Sequence, residues 1–201
     1  MNTKKKHTDP RILRTRQLLK DAFIDLLQEM DIEKITVNSL AEQATINRVT
    51  FYSHYRDIPD MIEKLADDMI ADISSVLSQT SETGDANWSR MVNFLQYLAE
   101  NASFYKIVLT SKRISLFRDR LLLLLTDTIV SSIEKKGSGS TVLKAGIQKD
   151  ILIWYDSAAL IGTIVAWLRN DMPYTPSYLA KQFYLLHHRN MKEGIPKNGL
   201  N

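Results

Sequence analysis

Apolar residues recur at helical spacing along almost the whole chain, and no stretch of useful length alternates apolar and polar residues as a half-buried strand would. Seven glycines and five prolines among 201 residues leave few places where a helix must stop. The chain is therefore expected to be all-α, with about nine helices. Asp9 followed by Pro10 signals the first start: an N-cap oxygen, then a residue whose missing N–H costs nothing in the first turn. Ile12, Leu19, Ala22, Phe23, Leu26 and Met30 then share one face, and Asp31 tolerates a left-handed turn that would end the helix. Thr36 is the expected cap of a second, short helix, with Ile35 stapled onto Leu40. The third repeats this arrangement, with Asn47 as cap and Ile46 stapled onto Phe51. Asp57 caps a fourth, with Pro59 and Asp60 in its first turn. Three helices of about twenty, nine and nine residues thus make a compact N-terminal unit over residues 1–57. Further helices are expected over 58–80, 87–102, 103–111, 114–136, 149–170 and 176–192, separated by turn-forming stretches at 78–87, 135–140 and 170–176.

Apolar residues at 44% supply a core, and charged residues at 24% are ordinary for a soluble protein. The absence of cysteine excludes disulfides and thiolate metal sites and fits a reducing cytoplasm. MNTKKKHTDPR has no apolar stretch behind its charges, so it does not read as a secretory signal. The net charge is only +3, yet Lys4, Lys5, Lys6, Arg11, Arg14, Arg16 and Lys20 face Asp9 alone within the first twenty residues. Such clustering suits an anionic partner or, equally, a solubilising tail. LLLLL at 121–125 is too short to cross a bilayer, and the longer apolar run at 151–168 contains Asp156. A buried or interface helix, without membrane contact, is expected there.

The stretch TINRVTFYSHYRD, residues 45–57, carries three aromatics, a histidine and two arginines, and no acid before its last position. Two short helices joined by about three residues, the second polar and basic, suggest a helix-turn-helix. At 100° per residue Phe51 and Tyr55 define the inner face, and Val49, Thr50 and Ser53 lie opposite, small enough for a helix deep in a major groove. Tyr52 and His54 project to the two flanks, where the phosphate walls would stand, and Arg48 reaches from the N-terminal tip. The competing reading makes the aromatics plain core and His54 a solvated side chain.

The run ITVNSLAEQATINRVTFYSHYRDIPDMIEKL, residues 35–65, resembles the DNA-binding domain of the TetR family of bacterial transcriptional regulators. The residues that carry the likeness are Thr36-Val37, Leu40-Ala41, Ala44-Thr45-Ile46-Asn47 and Phe51-Tyr52-Ser53-His54-Tyr55. The resemblance implies DNA contacts from Thr36, Asn47, Arg48, Thr50, Tyr52 and His54. It also implies a helical regulatory and dimerisation domain over 58–201. Its members act as dimers on palindromic operators, here expected to be a repressor whose DNA affinity answers to an effector. A co-activator of the same fold, controlled by a protein partner instead of a small molecule, is the alternative. Three departures stand out. Thr45 replaces the family's usual turn glycine, so that turn either avoids positive φ or is strained. Val49 stands where glycine or alanine is frequent and can meet a thymine methyl. Ile58 replaces a common lysine, leaving Arg56 as a substitute phosphate contact.

Residues 159–183 resemble the C-terminal region of a branch of that family that includes the dihydroxyacetone kinase operon activator. Ala158, Gly162 and Ala166 recur every four residues, a spacing that lets another backbone approach, with Trp154, Ile161, Val165 and Trp167 as apolar bulk around that seam. A homodimer interface is the expectation; packing within the subunit by the same residues is the alternative. Phe94, Tyr97, Phe104, Tyr105, Phe117 and Trp154 are candidates to line an effector cavity, against a plain-core reading. There is no HExxH, no glycine-rich phosphate loop and no carboxylate pair with an evident role. His187 and His188 are adjacent and point about 100° apart on a helix, so they cannot share a metal as an i,i+4 pair would. Neither enzyme activity, cofactor nor metal is expected.

Overall fold

The computed structural model describes residues 9–79, 86–111, 114–136 and 146–189. Among them are nine α-helices and one short 3-10 helix: α1 Pro10–Glu29, the 3-10 turn Ile32–Lys34, α2 Val37–Gln43, α3 Arg48–Tyr52, α4 Ile58–Ser78, α5 Ala86–Glu100, α6 Ala102–Thr110, α7 Leu116–Lys136, α8 Lys149–Arg169 and α9 Pro176–Arg189. The chain divides into two compact units, Met1–Asp68 with Ser111–Ile114, and Met69–Thr110 with Ser115–Asn201. The division falls inside α4 and not at its start.

In the first unit, local chemistry sets each helix start. Asp9 accepts from the Arg11 N–H at 2.9 Å, with Pro10 as the first helical residue. Thr36 and Ser39 form a reciprocal capping box on α2, at 3.0 and 3.1 Å. Asn47 Oδ1 accepts from the Val49 N–H at 2.8 Å on α3, and Asp57 Oδ1 from the Asp60 N–H at 2.8 Å on α4. Leu19, Phe23, Leu40, Phe51, Tyr55 and Met61 form the core.

Three expectations need correction here. Asp31 is not left-handed: α1 ends on the extended Met30, and Asp31, at φ −70°, begins the 3-10 turn. The third helix spans five residues and not nine, because after Tyr52 the chain tightens and the His54 N–H bonds to Phe51 O at 2.9 Å. α2, at seven residues, is likewise shorter than the expected nine. Its end shows which of the two options Thr45 takes. The Thr45 N–H bonds to Glu42 O at 3.0 Å and the Ile46 N–H to Ala41 O at 2.9 Å, a Schellman motif with Thr45 at φ 54°. The turn is left-handed without a glycine, and a β-branched residue bears the strain.

In the second unit α8 packs on α7 and α6, and α9 on α5. Phe94, Leu95, Leu98, Phe104, Tyr105, Val108, Phe117 and Leu121 are buried. Within the five-leucine run Leu121 and Leu125 point inward, whereas Leu123 is exposed. α8 is long and apolar enough to cross a bilayer, yet it buries Leu152, Ile161, Ile164, Val165, Trp167 and Leu168 within its own unit. Its end is a second Schellman motif: the Asp171 N–H meets Leu168 O and the Met172 N–H meets Trp167 O, with both donors at positive φ. An ion pair from Lys106 to Asp171 and a bond from Trp167 Nε1 to Tyr174 O at 2.9 Å hold this turn against its unit.

Candidate nucleic-acid interface

α3 is anchored by aromatics and presents small and polar groups outward. Phe51 and Tyr55 are buried, their rings 5.6 Å apart, and Tyr52 stands edge-on to Phe51 at 5.5 Å. Tyr52 itself is 51% exposed and Val49 75% exposed. Thr36, Asn47, Arg48 and Ser53 are exposed, and Thr50 and His54 half-buried. Several of these groups are already employed. Thr36 and Asn47 cap helices, and the Ser53 hydroxyl donates to Thr50 O at 2.7 Å. Arg56 donates from Nε and Nη2 to Asp60 Oδ1, at 3.1 and 3.0 Å, so its guanidinium is tethered to the first turn of α4.

One flank holds cations that sequence reasoning did not assign to it. Burial, then Arg16, then Lys64 push the His54 imidazole below its ordinary value, so it stays neutral near pH 7. Lys64 Nζ donates to His54 O at 3.1 Å and to Asp60 Oδ2 at 2.9 Å, and lies 5.4 Å from the centre of the Tyr55 ring. Arg16 Nε is buried without a hydrogen-bond partner among the described residues. Arg16 comes from α1 and Lys64 from α4; only the packing of three helices gathers them around His54. The Asp60 carboxyl is held down at about 2, chiefly by the Arg56 N–H and by Lys64.

In the second unit Ala158, Gly162 and Ala166 are all exposed on α8. The bulk expected around them is divided. Trp154 is exposed, but Ile161, Val165 and Trp167 are buried and belong to the subunit's own core. Trp154 also leaves the group expected to line a cavity. Phe94 is buried, and the other four pack on one another: Phe104 is edge-on to Phe117 at 5.8 Å and to Tyr105 at 5.3 Å, and Tyr97 meets Tyr105 at 5.8 Å. Tyr97 also donates to Asp72 at 3.3 Å. The side chains of His187 and His188, and residues Lys4, Lys5 and Lys6, lie outside the description.

Residues 86–189 match the TetR C-terminal family (TetR_C_8) described as "Transcriptional regulator C-terminal region". The chain belongs to the TetR family. Among curated relatives, the uncharacterized HTH-type transcriptional regulator YxbF of Bacillus subtilis (strain 168) is 30% identical over 106 residues, which cover 52% of this chain and 28% of YxbF. This chain thus spans little more than a quarter of that relative. The HTH-type dhaKLM operon transcriptional activator DhaS of Lactococcus lactis subsp. lactis (strain IL1403) is 26% identical over 148 residues, covering 73% of this chain and 75% of DhaS. A solved TetR transcriptional regulator from Streptococcus agalactiae 2603V superposes with a TM-score of 0.65 at 24% identity, covering 89% of this chain and 96% of its own, and shares the all-α fold. As a TetR-family member the chain is a DNA-binding, helix-turn-helix transcriptional regulator.

Proposed function

We propose that this TetR-family regulator acts as a cytoplasmic homodimer that reads a palindromic operator and represses the genes behind it. α3 enters the major groove. Arg48, Val49, Thr50 and Ser53 meet base edges, and Thr36, Asn47, Tyr52 and His54 meet the phosphate walls. The observation that carries this reading is the outward surface of α3: small or basic side chains, no acid between Thr45 and Arg56, and a rigid aromatic anchor behind. A helix whose inner face is fully committed to its own core has its outer face available for recognition. The first unit supplies this head, and the second dimerises and regulates.

A second reading concerns control. The aromatics expected around an effector pocket fill one another's space, an observation that favours a protein co-regulator over a small ligand. Selection of bound duplexes from a random pool tests the main reading. A palindrome should emerge for the purified protein alone, and its affinity should fall steeply between about 50 and 200 mM salt. No enriched sequence without added protein would favour the co-activator; a salt-insensitive affinity would overturn the proposed phosphate contacts.

A further inference from the structure

His54, just past the end of α3, is met by cations from two other helices. Apart from burial, the groups that act on its imidazole are Arg16 of α1 and then Lys64 of α4. Lys64 is already engaged: its Nζ donates to Asp60 Oδ2 at 2.9 Å and to His54 O at 3.1 Å. Arg56 is engaged too, with Nε and Nη2 on Asp60 Oδ1. Arg16 differs from both. No ion pair joins it to a carboxylate among the described residues, and its Nε is buried without a hydrogen-bond partner among them. Asp68 and Asp60 act with Arg16 on the neighbouring Tyr55 hydroxyl, yet neither forms an ion pair with Arg16.

A guanidinium nitrogen shut off from water and left unbonded destabilises the fold that holds it. Packing alone does not explain its presence, because methionine fills a similar space with no polar donor to bury. What arginine adds is a permanent charge and a planar fork that grips a phosphate at two oxygens. We infer that Arg16 and His54 form a two-sided seat for one backbone phosphate of the operator, the imidazole N–H donating to one oxygen and the guanidinium to another. Binding supplies the acceptor that Arg16 lacks in the free protein, once the side chain turns toward the DNA. The seat spans α1 and the end of α3, so the phosphate it holds also fixes the angle at which α3 enters the groove. This deepens the operator-binding reading above and rests on it. That reading places His54 against a phosphate wall; the seat adds a second donor to the same phosphate, from a helix outside the helix-turn-helix.

The test compares the full-length parent with single variants on the selected operator and on an unrelated duplex, across about 50 to 200 mM salt. Arg16→Met should weaken binding to both duplexes about tenfold, and should reduce the slope of log affinity against log salt by about 0.9 for each head engaged. Arg16→Lys should restore the slope but only part of the affinity, since an ammonium is a point charge without the fork. Arg14→Met removes the same charge from the exposed side of α1, about 160° around the helix from Arg16, and should change the slope far less. Arg16→Met should also unfold at the same or a higher urea concentration than the parent, because no hydrogen bond is lost. In NMR titrations its His54 imidazole, assigned by comparison with His54→Gln, should take up its proton at higher pH than in the parent. A parental slope in Arg16→Met, or an equal drop in Arg14→Met, overturns the seat and leaves operator binding standing. An Arg16→Met protein that unfolds earlier than the parent, with Arg16→Lys binding as weakly, makes Arg16 a structural strut and overturns the seat as well. A parent that binds no duplex in a salt-dependent way overturns both readings.

Discussion

Replacing Thr45 with glycine should stabilise the first unit by about 0.5–1 kcal/mol. Thr45 sits at φ 54°, where an L-residue pays roughly 1–2 kcal/mol and a branched β carbon lies toward the costly end. Glycine removes that penalty but returns about 0.5–1 kcal/mol through the greater freedom of the unfolded chain. The side chain is exposed, so no packing is lost, and both Schellman bonds come from backbone N–H groups that glycine keeps. In a chain of this size about 1 kcal/mol raises the melting temperature by about 2–4 °C. The assay is thermal and urea unfolding at fixed protein concentration, since dimerisation would otherwise contribute. A series should rank glycine above asparagine, asparagine above threonine, and threonine level with or above valine. A glycine variant no more stable than the parent would mean that the left-handed turn is not strained. A valine variant matching glycine would refute the argument from the branched β carbon.

Other consequences are testable at single sites. His54 has a lowered pKa, so the unfolded chain takes up its proton first as pH falls; the contribution of the neutral ring is complete above 6.5 and is lost as pH drops through the folded value. Urea titrations across about pH 5 to 8 should show this loss, and His54→Gln should reduce it. Tyr52→Phe keeps the ring against Phe51 and removes only the hydroxyl, so binding should weaken to a similar degree on every duplex; a changed sequence preference would put Tyr52 on the groove floor. Arg48→Ala should instead relax preference at one or two base pairs, by about 1–3 kcal/mol each in competition binding. Phe104→Ala, which empties a site against Phe117 and Tyr105, should cost about 3–5 kcal/mol in chemical denaturation; a much smaller loss would mean that this cluster is loosely packed.

The helix starts were legible because capping is local. Asp9, Thr36, Asn47 and Asp57 each needed only the next two or three residues to be recognised, and each caps its helix in the structure. Helix ends were less so. α3 gives way to a tighter turn whose last carbonyl is taken by Lys64, ten residues later, and no local signal announces that bond. The cations around His54 were hidden for the same reason. α8 posed a different difficulty. Trp154 and Trp167 are thirteen positions apart and so on nearly opposite sides, yet the helix is apolar almost all round. Periodicity alone could not distinguish the tryptophan that fills the subunit from the one left exposed.

The acids that close the opening stretch raise a problem that the first unit resolves. Thr45 to Arg56 carries no negative charge, but Asp57 and Asp60 follow at once, near enough to repel a phosphate approaching α3. Both carboxylates are engaged by local donors. Asp57 accepts the Asp60 N–H as the cap of α4, where the helix terminus favours an anion. Asp60, with a side chain only 9% exposed, accepts from the Arg56 N–H and guanidinium and from Lys64. Lys64 then reaches on to the carbonyl of His54, so the group that helps neutralise Asp60 also fastens the end of the α3 turn. A helix of five residues has too few internal hydrogen bonds to hold its own direction. Here Phe51 and Tyr55 fix it from the core, and Lys64 fixes its last turn from α4, which leaves the exposed side chains of α3 on a rigid mount with the nearby acids compensated.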